Sequence, residues 1–242
     1  MAGLIILSSL TSCDYDDSPI GNSETVTELS ATQEQSSDTR TSLGQDGSVT
    51  WGIAEPIKVF CADKSAKFVS TNSSPAATAL FKGSLEVKEG YAIWAVYPYD
   101  SDATYSNGEI TATISPMQTA EDWSFADRTN VTIARTTGTD LTFYNVCGGI
   151  CFSVKHSGIK SVTFEGLNNE NIAGKAVFSF SNGVPVISRV VDGQKKITLS
   201  APNGEISVTV HTKNNGRWTA MSPFSMSISR DSIDSYISYR VI

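Results

Sequence analysis

The chain lacks the features that mark nucleic-acid binders and membrane-spanning proteins. Its 242 residues carry 18 Lys and Arg against 25 Asp and Glu, for a formal net charge of −7, and no basic stripe that a phosphate backbone would neutralise. After the N-terminus, no apolar run approaches the roughly 18 residues of a spanning helix. These absences argue against nucleic-acid partners, and they leave the N-terminus as the place for any membrane attachment.

Recognisable reaction chemistry is also missing. The two histidines, His156 and His211, lie outside any metal-spaced cluster. The sequence contains no nucleophile-elbow pattern, no glycine-rich phosphate loop and no paired zinc spacing. Acidic residues are present, but nothing selects one pair as the acid and nucleophile of a glycosidase. We therefore predict a protein that is not an enzyme and needs no cofactor or metal.

Only four cysteines occur, and their spacing does not favour a disulfide. Cys147 and Cys151 are four residues apart, which on a regular strand separates them by about 13 Å along one face. A disulfide needs Cα atoms within about 7 Å of each other. We interpret both, together with Cys61, as buried free thiols.

The remaining cysteine, Cys13, follows an apolar stretch and small residues. Residues 10–13, "LTSC", resemble the lipobox of bacterial lipoproteins, in which the cysteine is lipidated and becomes the first residue. This resemblance implies a signal peptide over 1–12 and a lipid anchor on Cys13. No Lys or Arg precedes the apolar run, so the natural start could lie upstream of Met1. The alternative is an untranslocated apolar N-terminus with an incidental cysteine.

The segment that follows Cys13 is polar and acidic. Residues 14–45 contain seven acidic side chains and one basic side chain, Arg40, and their apolar residues are isolated. Such a composition is typical of a chain that cannot bury enough surface to order itself. We predict a flexible tether over 13–40. The acidic residues directly after Cys13 resemble the surface-export signals of Bacteroidetes lipoproteins.

From residue 41 onward, short runs with β character alternate with turn residues, and no helical period persists. The predicted strands are 48–53, 57–61, 66–70, 77–83, 91–99, 109–115, 131–135, 141–146, 149–156, 159–166, 174–182, 195–201 and 204–212. This pattern predicts an all-β fold of two sandwich domains, 41–146 and 147–242. The Ser-rich segment 209–242 shows little strand pattern, which predicts a second domain that is short of strands through truncation, a frame shift or divergence.

Four stretches, taken together, resemble the fimbrillin family of Bacteroidetes surface lipoproteins. They are "TRTSLGQDGSVTWGIAEPIKVF" (39–60), "YAIWAVYPYD" (91–100), "ITATISPMQTAEDWSF" (110–125) and "LTFYNVCGGICFSVKH" (141–156). The resemblance implies two tandem transthyretin-like β-sandwich domains, lipidation in the outer membrane, and a role as an adhesin or as a subunit, anchor or tip of a pilus. The implied partners are other pilus subunits or molecules on host and bacterial surfaces.

The resemblance also implies a use for Arg40. In polymerising members, an arginine-specific protease removes the leading segment, and a strand of the next subunit fills the groove that this opens. Arg40 lies where such a cut would fall. The alternative is an ordinary solvated linker residue.

Aromatic residues suggest a second function, glycan binding by a surface lipoprotein. Four tryptophans, with nearby tyrosines, could present a flat stacking surface to sugars. The tryptophans are Trp51, Trp94, Trp123 and Trp218. The alternation in "YAIWAVYPY" (91–99) favours packing on both faces of one strand. Trp123, beside Glu121 and Asp122, is therefore the predicted exposed aromatic and ligand contact.

Overall fold

The computed structural model describes residues 23–34, 50–120, 126, 128–146, 148–155, 159–166, 169–200, 206–212, 224–230 and 236–241. The elements of secondary structure within these ranges are all β-strands, so the predicted all-β class is confirmed. The strands are β1 (Ser23–Gln33), β2 (Pro56–Cys61), β3 (Lys64–Ser70), β4 (Thr78–Lys88), β5 (Ile93–Tyr97), β6 (Thr104–Ser106), β7 (Glu109–Ile114), β8 (Met117–Thr119), β9 (Thr132–Thr136), β10 (Asp140–Asn145), β11 (Gly148–Lys155), β12 (Ile159–Gly166), β13 (Ala173–Ser181), β14 (Val184–Gln194), β15 (Lys196–Ser200), β16 (Ile206–Thr212), β17 (Phe224–Arg230) and β18 (Tyr236–Val241).

Two asparagine-glycine pairs form tight hairpin turns, as their sequence predicts. Asn107 and Gly108 have φ angles of 51° and 80° between β6 and β7, and Asn182 and Gly183 have φ angles of 52° and 79° between β13 and β14. Positive φ at both central residues matches the right-handed twist of the flanking strands. By contrast, the described part of the predicted strand 48–53 contributes a single bridge, Trp51 to Ala76.

Seven strands close into a barrel in the order β1-β10-β9-β5-β2-β3-β4, with β4 pairing back onto β1. Neighbouring strands in this barrel are antiparallel, except that β1 runs parallel to β10. Alternate residues point inward and build one apolar core. Its largest fully buried members are Trp51, Phe68, Phe81, Phe143, Leu29, Ile57 and Leu141.

The remaining strands form three further sheets, two of which combine strands from before and after residues 146 and 147. Their orders are β14-β13-β7-β6, β17-β12-β15-β8 and β16-β11-β18. A second apolar core contains residues from the barrel strands β2, β5 and β9 and from the first two of these sheets. Members that show this are Phe60, Trp94, Ile133, Ile110, Phe178, Val162 and Leu199.

Strand β5 takes part in both cores. Ile93, Ala95 and Tyr97 belong to the core inside the barrel, and Trp94 and Val96 belong to the second core. All five residues are buried. The continuous apolar run of β5 is therefore explained by burial on two faces, which is typical of a strand covered on both sides.

The predicted flexible tether is wrong for residues 23–33, because these residues form β1. Leu29 and Ala31 have no exposed surface and belong to the barrel core. The tether was predicted from an acidic, Ser- and Thr-rich composition. Apolar partners on other strands supply the buried surface that this segment lacks by itself.

The structure also revises the predicted division of the chain. The boundary between residues 146 and 147 does fall between β10 and β11, but hydrogen-bonded sheets cross it: β7 pairs with β13, and β8 pairs with β15. The segment 209–242, whose weak pattern predicts a second domain short of strands, contributes to three described strands. It contains the C-terminal end of β16 together with β17 and β18, which pair with β12 and β11.

Candidate functional site

Strand β1 occupies a slot between β4 and β10, and this slot is the candidate functional site. Along β4, the antiparallel pairing runs from Ser23 opposite Lys88 to Thr32 opposite Thr78, with an irregularity between Val26 and Glu28. Along β10, the parallel pairing covers only residues 30–33. Within the described ranges, no strand pairs with the second edge of residues 23–28. Strand β1 is therefore held on both edges only at its C-terminal end.

Three inward side chains of β1 are fully or almost fully buried, Leu29, Ala31 and Gln33, and Val26 packs partly buried against the same core. The first three have exposed fractions of 0%, 0% and 3%. Ala31 lies opposite Ala79 on β4 and beside Leu141 on β10. Two small side chains facing each other allow the strands to pack without overlap. The slot thus accepts a large residue, a small residue and a third buried residue in turn.

An aromatic cluster fills the barrel next to this slot. The ring of Trp51 meets the rings of Phe81, Tyr97 and Phe143 edge to face, at centroid distances of 5.0, 5.3 and 5.1 Å. Phe81 pairs with Leu29, and Phe143 pairs with Gln33, across the strand ladders. Two of the side chains that line the slot, Phe81 and Phe143, therefore belong to an aromatic cluster.

Gln33 is the polar exception on the inner face of β1. Neither Oε1 nor Nε2 of its amide has a hydrogen-bond partner in the described structure. An unsatisfied buried amide lowers stability by about 1–3 kcal/mol. The backbone around it is well bonded, since the Glu34 amide donates to the Phe143 carbonyl at 2.8 Å.

Two acidic residues of this segment lie in different environments. Burial raises the pKa of the Glu34 carboxyl above its ordinary value of 4.5. Glu28 lies farther along β1, where Lys82 Nζ is 3.7 Å from its Oε2 and both side chains are at least half exposed. Such an exposed ion pair contributes little to stability. The charges along β1 therefore do little to hold it in the slot.

Loss of β1 from the slot would leave unpaired backbone groups on β4 and on β10. The same loss would uncover an apolar trough lined by Phe81, Leu141 and Phe143, all now buried. A trough of this kind binds an extended peptide through its main chain and through alternate side chains. A vacated slot would thus present backbone and apolar groups that an extended strand could pair with.

The residues that the sequence singled out cannot be placed beside this slot. Cys13, Arg40 and Trp123 all lie outside the described residues, as do His156, Cys147 and Trp218. For Cys151 and His211 the structure describes the backbone of β11 and β16 and not the side chains. Their predicted roles therefore stay predictions. Cys61 is a buried free thiol, as predicted.

The structure buries three of the aromatic side chains considered for the predicted glycan-binding surface. Trp51 has no exposed surface, Trp94 is 5% exposed and Tyr97 is 4% exposed, so packing explains all three. Tyr91 is half exposed, with Lys88 Nζ 5.2 Å from its ring centroid. The buried tryptophans cannot present their ring faces to a sugar.

In the part of the chain that the structure describes, no group of three His, Cys, Asp or Glu residues could hold a metal ion. No helix among these residues is long and apolar enough to cross a bilayer.

Sequence reasoning missed β1 and its buried face for a physical reason. Leu29, Ala31 and Gln33 do alternate as a half-buried strand requires. The pairing of β1 with β4 is irregular between Val26 and Glu28, so the alternation does not continue toward the N-terminus of β1. A small residue and a polar residue then weaken the remaining signal, so that Leu29 stands as an isolated apolar residue.

Comparisons with protein-family models, with curated proteins and with solved structures found no match to this chain.

Proposed function

We propose that this chain is a cell-surface lipoprotein that acts as an adhesin or as a subunit or anchor of a pilus. The proposal combines the sequence resemblance to fimbrillins with the position of β1. In this function the protein works through sheet edges and surface contacts, with Cys13 carrying the lipid that tethers it to the outer membrane. The finer architecture implied by the resemblance, two tandem transthyretin-like sandwiches, belongs to the same proposal.

The observation that carries the proposal is the place of β1 relative to Arg40. Strand β1 ends at Gln33, seven residues before Arg40, and it closes the barrel between β4 and β10. A cut after Arg40 would sever β1 from the rest of the barrel, leaving only non-covalent contacts to hold it. Because β10 pairs with β1 only over residues 30–33, the severed strand could leave the slot. An extended strand of another subunit would then satisfy the exposed backbone groups.

Protease treatment of the full chain tests this function. An arginine-specific protease is expected to cut wild-type protein after Arg40, which intact mass measurement identifies. The cut protein is then expected to form oligomers that gel filtration and unboiled gels resolve as ladders. The matched control is Arg40→Lys, which keeps the charge and removes the cleavage site. A cut protein that stays monomeric, or ladders that form equally with Arg40→Lys, would contradict the pilus-subunit function.

Lipidation is tested independently in cells. Metabolic labelling with a fatty acid is expected to mark wild-type protein and to leave Cys13→Ala unlabelled. Surface protease accessibility then reports whether the labelled protein is exported. Unlabelled wild-type protein in a host that lipidates a control lipoprotein would contradict the anchor.

A further inference from the structure

The buried inward residues of four barrel strands, β1, β2, β5 and β10, differ in one position. Their inward residues are Ile57, Val59 and Cys61 on β2, Ile93, Ala95 and Tyr97 on β5, Leu141 and Phe143 on β10, and Leu29, Ala31 and Gln33 on β1. All are apolar or aromatic except Gln33. The hydroxyl of Tyr97, the other polar group in this set, donates to Glu55 Oε1 at 3.4 Å.

Both polar atoms of the Gln33 amide are buried without a partner in the described structure. Removing both atoms from water costs more free energy than burying a single unpaired polar atom. Thr132 on β9 offers a comparison on a barrel strand: it is fully buried, and its Oγ1 also has no partner among the described residues. Nε1 of Trp51 in the barrel core is a further buried atom without a partner there. However, β9 pairs with β5 on one edge and with β10 on the other. Gln33, by contrast, lies on β1, which is paired along both edges for only part of its length.

We propose that Gln33 makes β1 a replaceable occupant of its slot, and that the slot prefers an extended peptide with an apolar side chain at the Gln33 position. The preferred pattern is large, small and large at the positions of Leu29, Ala31 and Gln33. A side chain such as methionine matches glutamine in length and leaves no unpaired polar atom beside Phe143. The partner is thus an extended segment of another polypeptide with inward apolar side chains at alternate positions. The side chain at the third of these positions, that of Gln33 in β1, decides the preference.

The biological purpose of this preference rests on the proposed function, because strand replacement matters only in assembly. The preference itself does not depend on lipidation, on cleavage at Arg40 or on oligomers. It can be measured on the purified, uncut full chain. Failure of assembly and failure of the Gln33 effect are therefore separate results.

Hydrogen exchange monitored by mass spectrometry provides the first test. In wild-type protein, we expect the amides of β1 to exchange faster than those of β5, since β1 opens locally. Gln33→Met is expected to slow exchange in β1 about tenfold relative to β5. Thr132→Val removes an unpartnered hydroxyl on β9 and is expected to leave the ratio of β1 to β5 exchange unchanged. An unchanged ratio in Gln33→Met, or an equal change in Thr132→Val, would overturn the proposal.

Peptide capture provides the second test. Two labelled peptides are offered to the full chain, one with the sequence of residues 23–34 and one with methionine in place of Gln33. Fluorescence anisotropy is expected to show about tenfold tighter binding of the methionine peptide. Binding of both peptides is expected to weaken when the protein itself carries Gln33→Met, because its own β1 then competes better. Equal binding of the two peptides, or uptake that is insensitive to Gln33→Met in the protein, refutes the preference.

Discussion

Strands β1 and β5 belong to the same barrel and are held in it very differently. β5 pairs with β2 along one edge and with β9 along the other, and its two faces are buried in two different cores. β1 pairs with β4 along most of its length but with β10 only over residues 30–33. The comparison teaches that a strand can close a barrel without being fixed in it, because edge pairing and face burial are separate contributions.

The largest expected effect concerns the doubly buried strand. Trp94 packs against Tyr105 and Phe180 at centroid distances of 5.4 and 5.7 Å, and Arg135 lies over its ring. Trp94→Ala is expected to lower the free energy of unfolding by about 3–5 kcal/mol, measured by urea denaturation. Trp94→Phe, which keeps an aromatic ring, should lose clearly less. A loss below about 1 kcal/mol in the alanine variant would show that β5 is not the anchor of the two cores.

A direct comparison of the two strands comes next. Leu29 and Ile93 both lie in the barrel core, with exposed fractions of 0% and 5%. Ile93→Ala is expected to cost about 2–5 kcal/mol of unfolding free energy. Leu29→Ala should cost less in the same measurement, because local opening of β1 already relieves part of its packing before global unfolding. The exposed Thr25 on β1 offers a control, since Thr25→Ala should change little; equal losses at Leu29 and Ile93 would remove the distinction between the strands.

A smaller effect is expected at Glu34, whose partly buried carboxyl directly follows β1. Since burial raises the pKa of Glu34 in the folded state, that state binds its proton more tightly than the unfolded state does. Stability therefore falls as the pH rises through and above the ordinary value of 4.5. Glu34→Gln is expected to be more stable than wild type at pH 7, with the gain fading below that value in denaturation series. The exposed Glu28→Gln should show no such gain, and a gain that persists at low pH would contradict burial as its cause.

The smallest effect is expected at the ion pair between β1 and β4. Glu28 and Lys82 approach to 3.7 Å with 50% and 63% of their side chains exposed. A double-mutant cycle with Glu28→Gln and Lys82→Met is expected to give a coupling of about 0.2–1 kcal/mol at low salt, decreasing as salt is added. A coupling above about 2 kcal/mol would mean that charge, rather than packing and backbone pairing, holds β1 to the barrel.

Much of the strand content was predictable because it depends on local pattern. The runs that became β2, β3, β4, β5, β7, β9, β10, β11, β12, β13, β15 and β16 were recognised from alternation and from the turns between them. β14 was missed, and its pairing with β13 shifts register twice. The three-residue strands β6 and β8 are too short to show a period. β17 and β18 lie in serine-rich sequence with few apolar positions.

The candidate site was less predictable than the strands. Arg40 and Cys13 were found through resemblance, and they lie outside the described residues. The slot of β1 was missed because residues 14–45 read as a solvated segment. Gln33 gives no signal at all in the sequence, since a glutamine in an acidic linker is expected to face water.

By itself, the sequence determined that this protein is built from strands, since alternating side chains and Asn-Gly turns act over a few residues. Tertiary structure alone decided which strands pair, that β5 faces two cores and that the acidic segment contributes β1. Those outcomes depend on contacts between residues far apart in the chain, such as Leu29 with β4 and Gln33 beside Phe143. Burial of this kind is a property of the partners, and no local pattern records it.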